Sequence, residues 1–211
     1  DAQHSAPLVF AAWADELARG LIVPRIGNAR FAATYGKRDF RAALEGILAR
    51  DDGWWCAPRS CAEQSAQALE RALERLQSAY GSRPAQWRWG RAHPAVSSHR
   101  PLGSVAALAR FFNVQTPSSG DGYTVNVGQY NAGDVAGGAF ANRHAASLRG
   151  LYDLADLEQS RFIFQTGQSG NVFSPRYADM RGAWAAGQYR PLQRTPARWT
   201  HQLVLAPRAG D

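Results

Sequence analysis

Residues 62 to 80 carry the cleanest periodicity in the chain and restrict what it can fold into. Ala62, Ala66, Leu69, Leu73, Leu76 and Tyr80 recur at steps of four and three, with Arg and Glu on the other face. The spacing predicts an amphipathic helix with this stripe in the core, stopped by Gly81. Ahead of it, Asp51-Asp52-Gly53-Trp54-Trp55-Cys56-Ala57-Pro58-Arg59-Ser60-Cys61 reads as a loop by composition. It holds the only two cysteines. A metal site would need two more soft ligands, and no nearby Cys or His supplies them. The spacing is not the C-x-x-C of redox enzymes either. A short loop closed by a Cys56–Cys61 disulfide, pinning the start of the helix, fits better than two buried free thiols. Such a bridge points to an oxidising compartment.

The other elements follow from weaker signals. Residues 7 to 22 predict a helix, with Pro7 in its first turn, Phe10, Trp13, Leu17 and Leu21 at helical spacing, and Pro24 and Gly27 as its stop. A second helix is expected from 39 to about 49, with Phe40, Ala43, Leu44, Ile47 and Leu48 on one face. Trp87-Arg88-Trp89-Gly90-Arg91-Ala92-His93 alternates as an extended segment would, with the indoles facing the core and Arg88 outside. Stacking on single-stranded nucleic acid is the competing reading. Residues 102 to 112 read as a short helix or turn-rich piece, 118 to 122 as a turn, and 123 to 127 as a β-branched strand. The Gly-rich stretch from 131 to 138 has no phosphate-cradle pattern. Strands are expected at 147–154 and 161–166, antiparallel neighbours, then a loop at 167–175, a helix at 177–186 ended by Gly187, and a closing strand at 201–205. No internal repeat is evident, and only the last few residues read as frayed. The class is α+β, helices in the first half and antiparallel strands in the second.

Charge and hydropathy exclude several functions. The chain has 24 Lys and Arg against 17 Asp and Glu, a net charge of +7 and a pI near 10.0. The basic residues are nearly all Arg, with Lys37 the only lysine, and they are scattered among acids rather than gathered into the stripe that a phosphate backbone requires. No nucleic-acid partner is expected. No run of about 18 apolar residues exists, so no transmembrane helix is expected. Asp1-Ala2-Gln3-His4 lacks the features of a signal peptide, as a trimmed mature chain also would.

Candidate chemistry concentrates between residues 143 and 192. Gly167-Gln168-Ser169-Gly170-Asn171 approaches a nucleophile elbow, but the last position is Asn171 and Phe173-Ser174-Pro175 does not start a helix. Ser169 therefore reads as a turn residue, bonded to backbone between glycines that tolerate positive φ. Asp153, Asp156 and Asp179 read as turn and cap residues, since no spacing pairs two of them for acid–base work. His93 and His99 read as structural histidines, because no third ligand is spaced to match.

The chain also carries a resemblance, densest in this stretch. Pro7-Leu8-Val9-Phe10 with Trp13, Trp55-Cys56, Cys61, Trp87-Arg88-Trp89-Gly90 with His93, and Gly120-Asp121-Gly122-Tyr123-Thr124-Val125-Asn126 form the first part of an ordered set. His144, Ser147-Leu148-Arg149, Tyr152-Asp153-Leu154, Gly167-Gln168-Ser169-Gly170, Ser174-Pro175-Arg176-Tyr177-Ala178-Asp179 and Trp184 complete it. The set resembles the C-terminal part of the β chain of the penicillin acylase (penicillin amidase) family. The resemblance covers nearly the whole chain, residues 1–211, with a helical part to about 112 and a strand-rich part from about 113.

The resemblance implies an N-terminal-nucleophile hydrolase: a four-layer αββα sandwich, made as a precursor that cuts itself into α and β chains. The N-terminal serine of the β chain attacks an amide with its own α-amino group as base, and backbone N–H and an asparagine hold the oxyanion. Substrates would be acyl amides such as β-lactam side chains or acyl-homoserine lactones, in the periplasm or outside the cell. Asp1 has neither hydroxyl nor thiol, so the resemblance puts the serine in an upstream β-chain segment, which with the α chain would be this chain's partner. No catalytic residue is assigned within the chain: Asn126 and Asn171 match no oxyanion asparagine, and Asp153 is given no site role. No cofactor or metal is expected. A secreted, non-catalytic module holding a ligand on Trp87, Trp89 and Tyr123 is the alternative.

Overall fold

The computed structural model describes residues 1–36, 39–130, 139–195 and 203–206. Within them the chain forms two compact units, one of residues 1–146 with 171–173 and one of 147–170 with the residues from 174 onward.

The first unit is built on a helix pair. Helix α1 (Ala6–Tyr35) starts with Pro7 in its first turn, where a missing N–H costs nothing. It does not stop at Pro24 as its sequence suggests. The chain stays helical through Pro24, leaves the helix only at Gly27 (φ 78°, ψ 161°), and resumes to Tyr35. Burial overrides the breakers: Phe31 is 3% exposed and stacks on Tyr35 at 4.5 Å, with Phe40 edge-on to both rings. Helix α2 (Asp39–Ala49) forms where expected and buries Ile47 in the same cluster.

Helix α4 (Cys61–Tyr80) opens with a capping box: Ser60 Oγ accepts from Glu63 N (3.2 Å), and Glu63 accepts from Ser60 N (2.9 Å). The backbone bond from Ser60, and then its hydroxyl, hold the Glu63 carboxyl below its usual range. Just before it, the expected loop contains a short helix α3 (Gly53–Cys56) capped by Asp52, and Cys56 is bonded to Cys61.

The buried face of α4 is the predicted one only near its end, where Leu76 is buried and Tyr80 packs on the core; the rest is rotated. Cys61, Gln64, Ala68, Ala72 and Leu76 are buried, whereas Ala62 and Ala66 are exposed and Leu69 and Leu73 stand 40% and 38% exposed. Two things set the rotation. Ala68 and Ala72 meet an equally small face of α1, with Ala11, Ala12 and Ala18 buried, which lets the helices approach closely. Arg75 also donates to the fully buried Asp15 at 2.5 Å and to Glu16 at 3.2 Å, while Arg71 reaches Glu16 at 3.5 Å. Turning Leu69 and Leu73 inward would pull both arginines off these acids.

The segment at 87–93 is helical rather than extended: a 3-10 turn (Pro84–Gln86) leads into α5 (Trp89–Ala92). Four residues of alternation do not distinguish a strand from a turn of helix. The indoles do face the core, at 5% and 2% exposure, with Trp87 Nε1 donating to the Gly81 carbonyl and Trp89 Nε1 to that of Gly120. Trp89 N and Gly90 N bond to the carbonyls of His4 and Ala2, and a Cβ on Gly90 would lie 2.9 Å from Ala2 and Pro117.

Strand β1 (Pro94–Ser97) pairs antiparallel with β2 (Val114–Pro117), with a 3-10 turn (Leu102–Ser104) and helix α6 (Ala106–Phe112) between them. β1 thus lies in the half expected to be helical. The strand expected at 123–127 is a set of turns, with Tyr123 and Val125 exposed. Asp121 N donates to Thr124 Oγ1 and Asn126 Nδ2 to Ser119, so side-chain bonds to local backbone override β propensity here. The pairing moves to β3 (Gly128–Gln129) with β4 (His144–Ala145). The Gly-rich stretch at 131–138 lies outside the described residues.

The second unit holds a three-stranded antiparallel sheet in the order β5 (Leu148–Leu151), β6 (Arg161–Phe164), β7 (Arg190–Pro191). Ile163, Met180 and Trp184 are buried in it, and α7 (Arg181–Ala185) ends before Gly187 at φ 69°. β5 and β6 agree with expectation. The return strand is β7, not 201–205: residues 203–206 are unpaired and 201–202 lie outside the described residues. The architecture is helices with small antiparallel sheets, and among the described residues no helix is long and apolar enough to cross a membrane.

The Cys56–Cys61 bridge closes a short loop, for which chain-entropy arguments give about 2 kcal/mol. Reduction, or the Cys56→Ser/Cys61→Ser pair, is expected to lower the melting temperature by about 4–8 °C in calorimetry. An unchanged melting temperature would show that the α3–α4 corner is held without it.

Candidate functional site

In the 143–192 stretch the candidate residues make local bonds. Ser169 N donates to the Arg176 carbonyl (3.2 Å), and the chain runs through turns at Asn171 and Ser174 before α7 begins at Arg181. The tight strand–turn–helix that would present a nucleophilic serine is absent between β6 and α7. Neither Gly167 nor Gly170 has positive φ. Gly167 is there for space: a Cβ would lie 2.0 Å from the Arg176 carbonyl oxygen. Asp153 accepts from Ala155 N and Asp156 N, and Asp156 caps a 3-10 turn (Leu157–Gln159), both in local roles as expected. Asp179 does something else. Its Oδ2 accepts from Arg190 (3.0 Å) and Arg176 (3.1 Å), and Arg190 also donates to its carbonyl, tying β7 to the preceding loop. The Arg190 hydrogen bond outweighs the opposing effect of burial and, with Arg176, holds the Asp179 carboxyl below its usual range.

The first unit contains a cavity of about 630 Å³ that sequence reasoning did not find. Trp13 and Leu17 of α1, Phe40 and Leu44 of α2, and Tyr35 and Tyr130 form its walls, with Arg41, Glu45, Asp121 and Tyr123 also lining it. Arg41 sits 4.4 Å over the Tyr123 ring and donates to Glu45 at 2.9 Å. Burial, then the charge and hydrogen bond of Asp15, push the Tyr35 hydroxyl far above the usual tyrosine range; burial, then Asp121, does the same to Tyr130. Both stay neutral donors at physiological pH. The described lining is mainly aromatic and aliphatic, with Arg41, Glu45, Asp121 and the tyrosine hydroxyls as its polar groups, a composition of the kind that holds small ligands. Its walls come from segments far apart in the chain, and Trp13, Leu17, Phe40 and Leu44 read in sequence simply as helix faces.

The aromatics proposed for ligand binding divide. Tyr123 lines the cavity; Trp87 and Trp89 are buried in the core and offer no face to a ligand or a base.

His93 is fully buried and stacks on Trp89 at 4.3 Å, with Nδ1 2.6 Å from the Phe140 carbonyl, a geometry that needs the proton on Nδ1. Its own carbonyl accepts from Ser118 Oγ at 2.6 Å. His99 lies elsewhere, edge-on to Phe112 at 5.1 Å. The two do not converge, and among the described residues no group of three or more His, Cys, Asp or Glu could hold a metal ion.

Comparison with known proteins gives these features a family. The penicillin amidase family model matches residues 1–201. The chain belongs to the penicillin amidase family. It is 31% identical over 153 residues to the acyl-homoserine lactone acylase QuiP of Pseudomonas syringae pv. syringae (strain B728a), covering 69% of this chain and 18% of that protein. It is 27% identical over 191 residues to the penicillin acylase 2 proenzyme of Pseudomonas sp. (strain SE83), covering 88% of this chain and 24% of that protein. A thermostable penicillin G acylase from Alcaligenes faecalis shares the fold, with a TM-score of 0.53 at 16% identity over 98% of this chain and 39% of that one. The chain therefore spans about a fifth to a quarter of these two relatives' length.

Burial holds the His93 imidazole below the usual histidine range, more strongly than its Phe140 hydrogen bond and Asp121 raise it. The unfolded chain thus takes up this proton first as the pH drops. The stabilising contribution is complete above about pH 6.5 and is lost as the pH falls from there through the folded pKa, at up to about 1.4 kcal/mol per pH unit. Urea denaturation across this range should show the decline, with Trp89 fluorescence as a local reporter, and His93→Gln should flatten it. An equal slope in the variant would assign the proton uptake to other groups.

Proposed function

We propose that this chain is the C-terminal portion of an amide hydrolase of the penicillin acylase type, which removes an acyl side chain from an amide through an N-terminal serine lying outside these 211 residues. The observation that carries the reading is the family match over nearly the whole chain, in a sequence that spans only about a fifth to a quarter of its relatives. Two features of the site support it. Ser169 sits among turns rather than on an elbow, and the described cavity lining holds no serine, threonine or cysteine, which agrees with a nucleophile supplied from outside these residues.

In this reading the small antiparallel sheets and their helices belong to a four-layer αββα sandwich completed by an upstream β-chain segment and an α chain. The serine, with its own α-amino group as base, attacks the acyl carbonyl, and backbone N–H with an asparagine holds the oxyanion. Substrates are small acyl amides, β-lactam or acyl-homoserine lactone among them. The Cys56–Cys61 bridge suits a periplasmic or secreted location.

A second reading, a secreted non-catalytic module, draws on the aromatic cavity, which is of the size that holds small ligands. One experiment separates the two. Amide hydrolysis is measured for the 211-residue chain alone and after assembly with the remaining precursor segments, using a penicillin and an acyl-homoserine lactone. Activity only in the assembly is the expected result. Turnover by the isolated chain overturns the reading, and an inactive assembly together with saturable quenching of Trp13 by a small aromatic probe would favour the binding module.

A further inference from the structure

Helix α4 carries two apolar stripes, and the structure uses only one. The inner stripe packs on α1. The outer one, Ala62, Ala66, Leu69 and Leu73, runs along the helix at steps of four, three and four and is exposed throughout. Those four positions span about 16 Å, three turns of helix. At 100° per residue, one flank of this stripe merges with the buried face at Leu76, and the other is bordered by Glu70 and Glu74. Both glutamates are exposed, and neither has a hydrogen-bond or ion-pair partner among the described residues.

A lone exposed leucine needs no explanation, but a straight apolar row with an acidic border has the form of a helix–helix seam. The 4-3-4 repeat matches the ridge spacing of a second α-helix, and the alanines at one end permit close approach while the leucines act as knobs. The border adds a sign: an occupant with Lys or Arg on its flank would pair with Glu70 and Glu74, whereas a second copy of α4 laid antiparallel on this face would set like flanks, and so glutamates, against each other.

We infer that the outer face of α4 is the docking surface for an amphipathic helix with a basic flank, contributed by the part of the parent precursor outside this chain. The inference rests on the reading of the chain as one portion of a larger acylase. The stretch shared with this chain is 18% and 24% of the two relatives' length, so a parent of similar length has ample sequence to supply such a helix.

Carboxyl footprinting of the isolated chain and of the assembled precursor tests this. Glu70 and Glu74 should label readily in the first and lose labelling in the second. Leu69→Lys/Leu73→Lys alters only exposed positions, and it should leave the melting of the isolated chain unchanged while weakening its association with the remaining segments about tenfold or more. An assembled, hydrolytically active enzyme in which both glutamates stay fully labelled overturns the docking surface and leaves the acylase reading intact. Failure to assemble, or an inactive assembly, tells against the acylase reading instead. Concentration-dependent protection of the same glutamates in the isolated chain would replace the precursor helix with a second copy, and so would also overturn the proposal.

Discussion

The first unit depends on a carboxylate that has no access to water. Asp15 is 1% exposed in the middle of α1, and such a group persists only where its charge and lone pairs are answered. Arg19 answers it from one turn along the same helix, at 3.1 Å, Arg75 from α4, at 2.5 Å, and Tyr35 from the far end of α1. Burial works against the charge on Arg75, yet the bonds to Asp15 and Glu16 more than compensate, and its pKa is raised. Turning α4 away would leave the Asp15 carboxylate buried without the Arg75 guanidinium, an arrangement far costlier than exposing part of a leucine. The rotation of α4 is therefore decided by the ions, with alanines supplying the close fit. Because α4 is held this way, its leucine row faces outward, and because Tyr35 is held this way, the cavity has a floor.

The polar chemistry of the rest of the chain is local. Ser60 with Glu63, Asp52, Asp121 with Thr124, Asp153, Asp156 and Asn171 each satisfy backbone donors within a few residues. Such bonds shape turns and caps. They also engage the carboxylates that, by residue type alone, looked available for acid–base work. The side chains of the second unit are committed in the same way, with Asp179 clamped between two arginines and Arg149 lying 4.6 Å over Trp184. The chain's membership of the penicillin amidase family carries more functional weight than any single residue it contains.

What could be read from sequence alone was whatever depends on neighbours along the chain. The span of α2, the Gly81 stop of α4, the disulfide loop, the antiparallel pair β5–β6, the inward indoles of Trp87 and Trp89, and the ordered motifs of the family all lie in local spacing or in the order of short motifs. What the tertiary structure decided was whatever depends on partners far away in sequence. Pro24 fails to stop α1 because Phe31 and Tyr35 bury against Phe40, and 87–93 turns helical because its backbone N–H groups find the carbonyls of Ala2 and His4. The choice between two apolar stripes on α4 was illegible for the same reason. Periodicity reports that a helix has an apolar face, but which face is buried depends on Asp15, and no pattern within residues 62 to 80 encodes a carboxylate about sixty positions earlier in the chain.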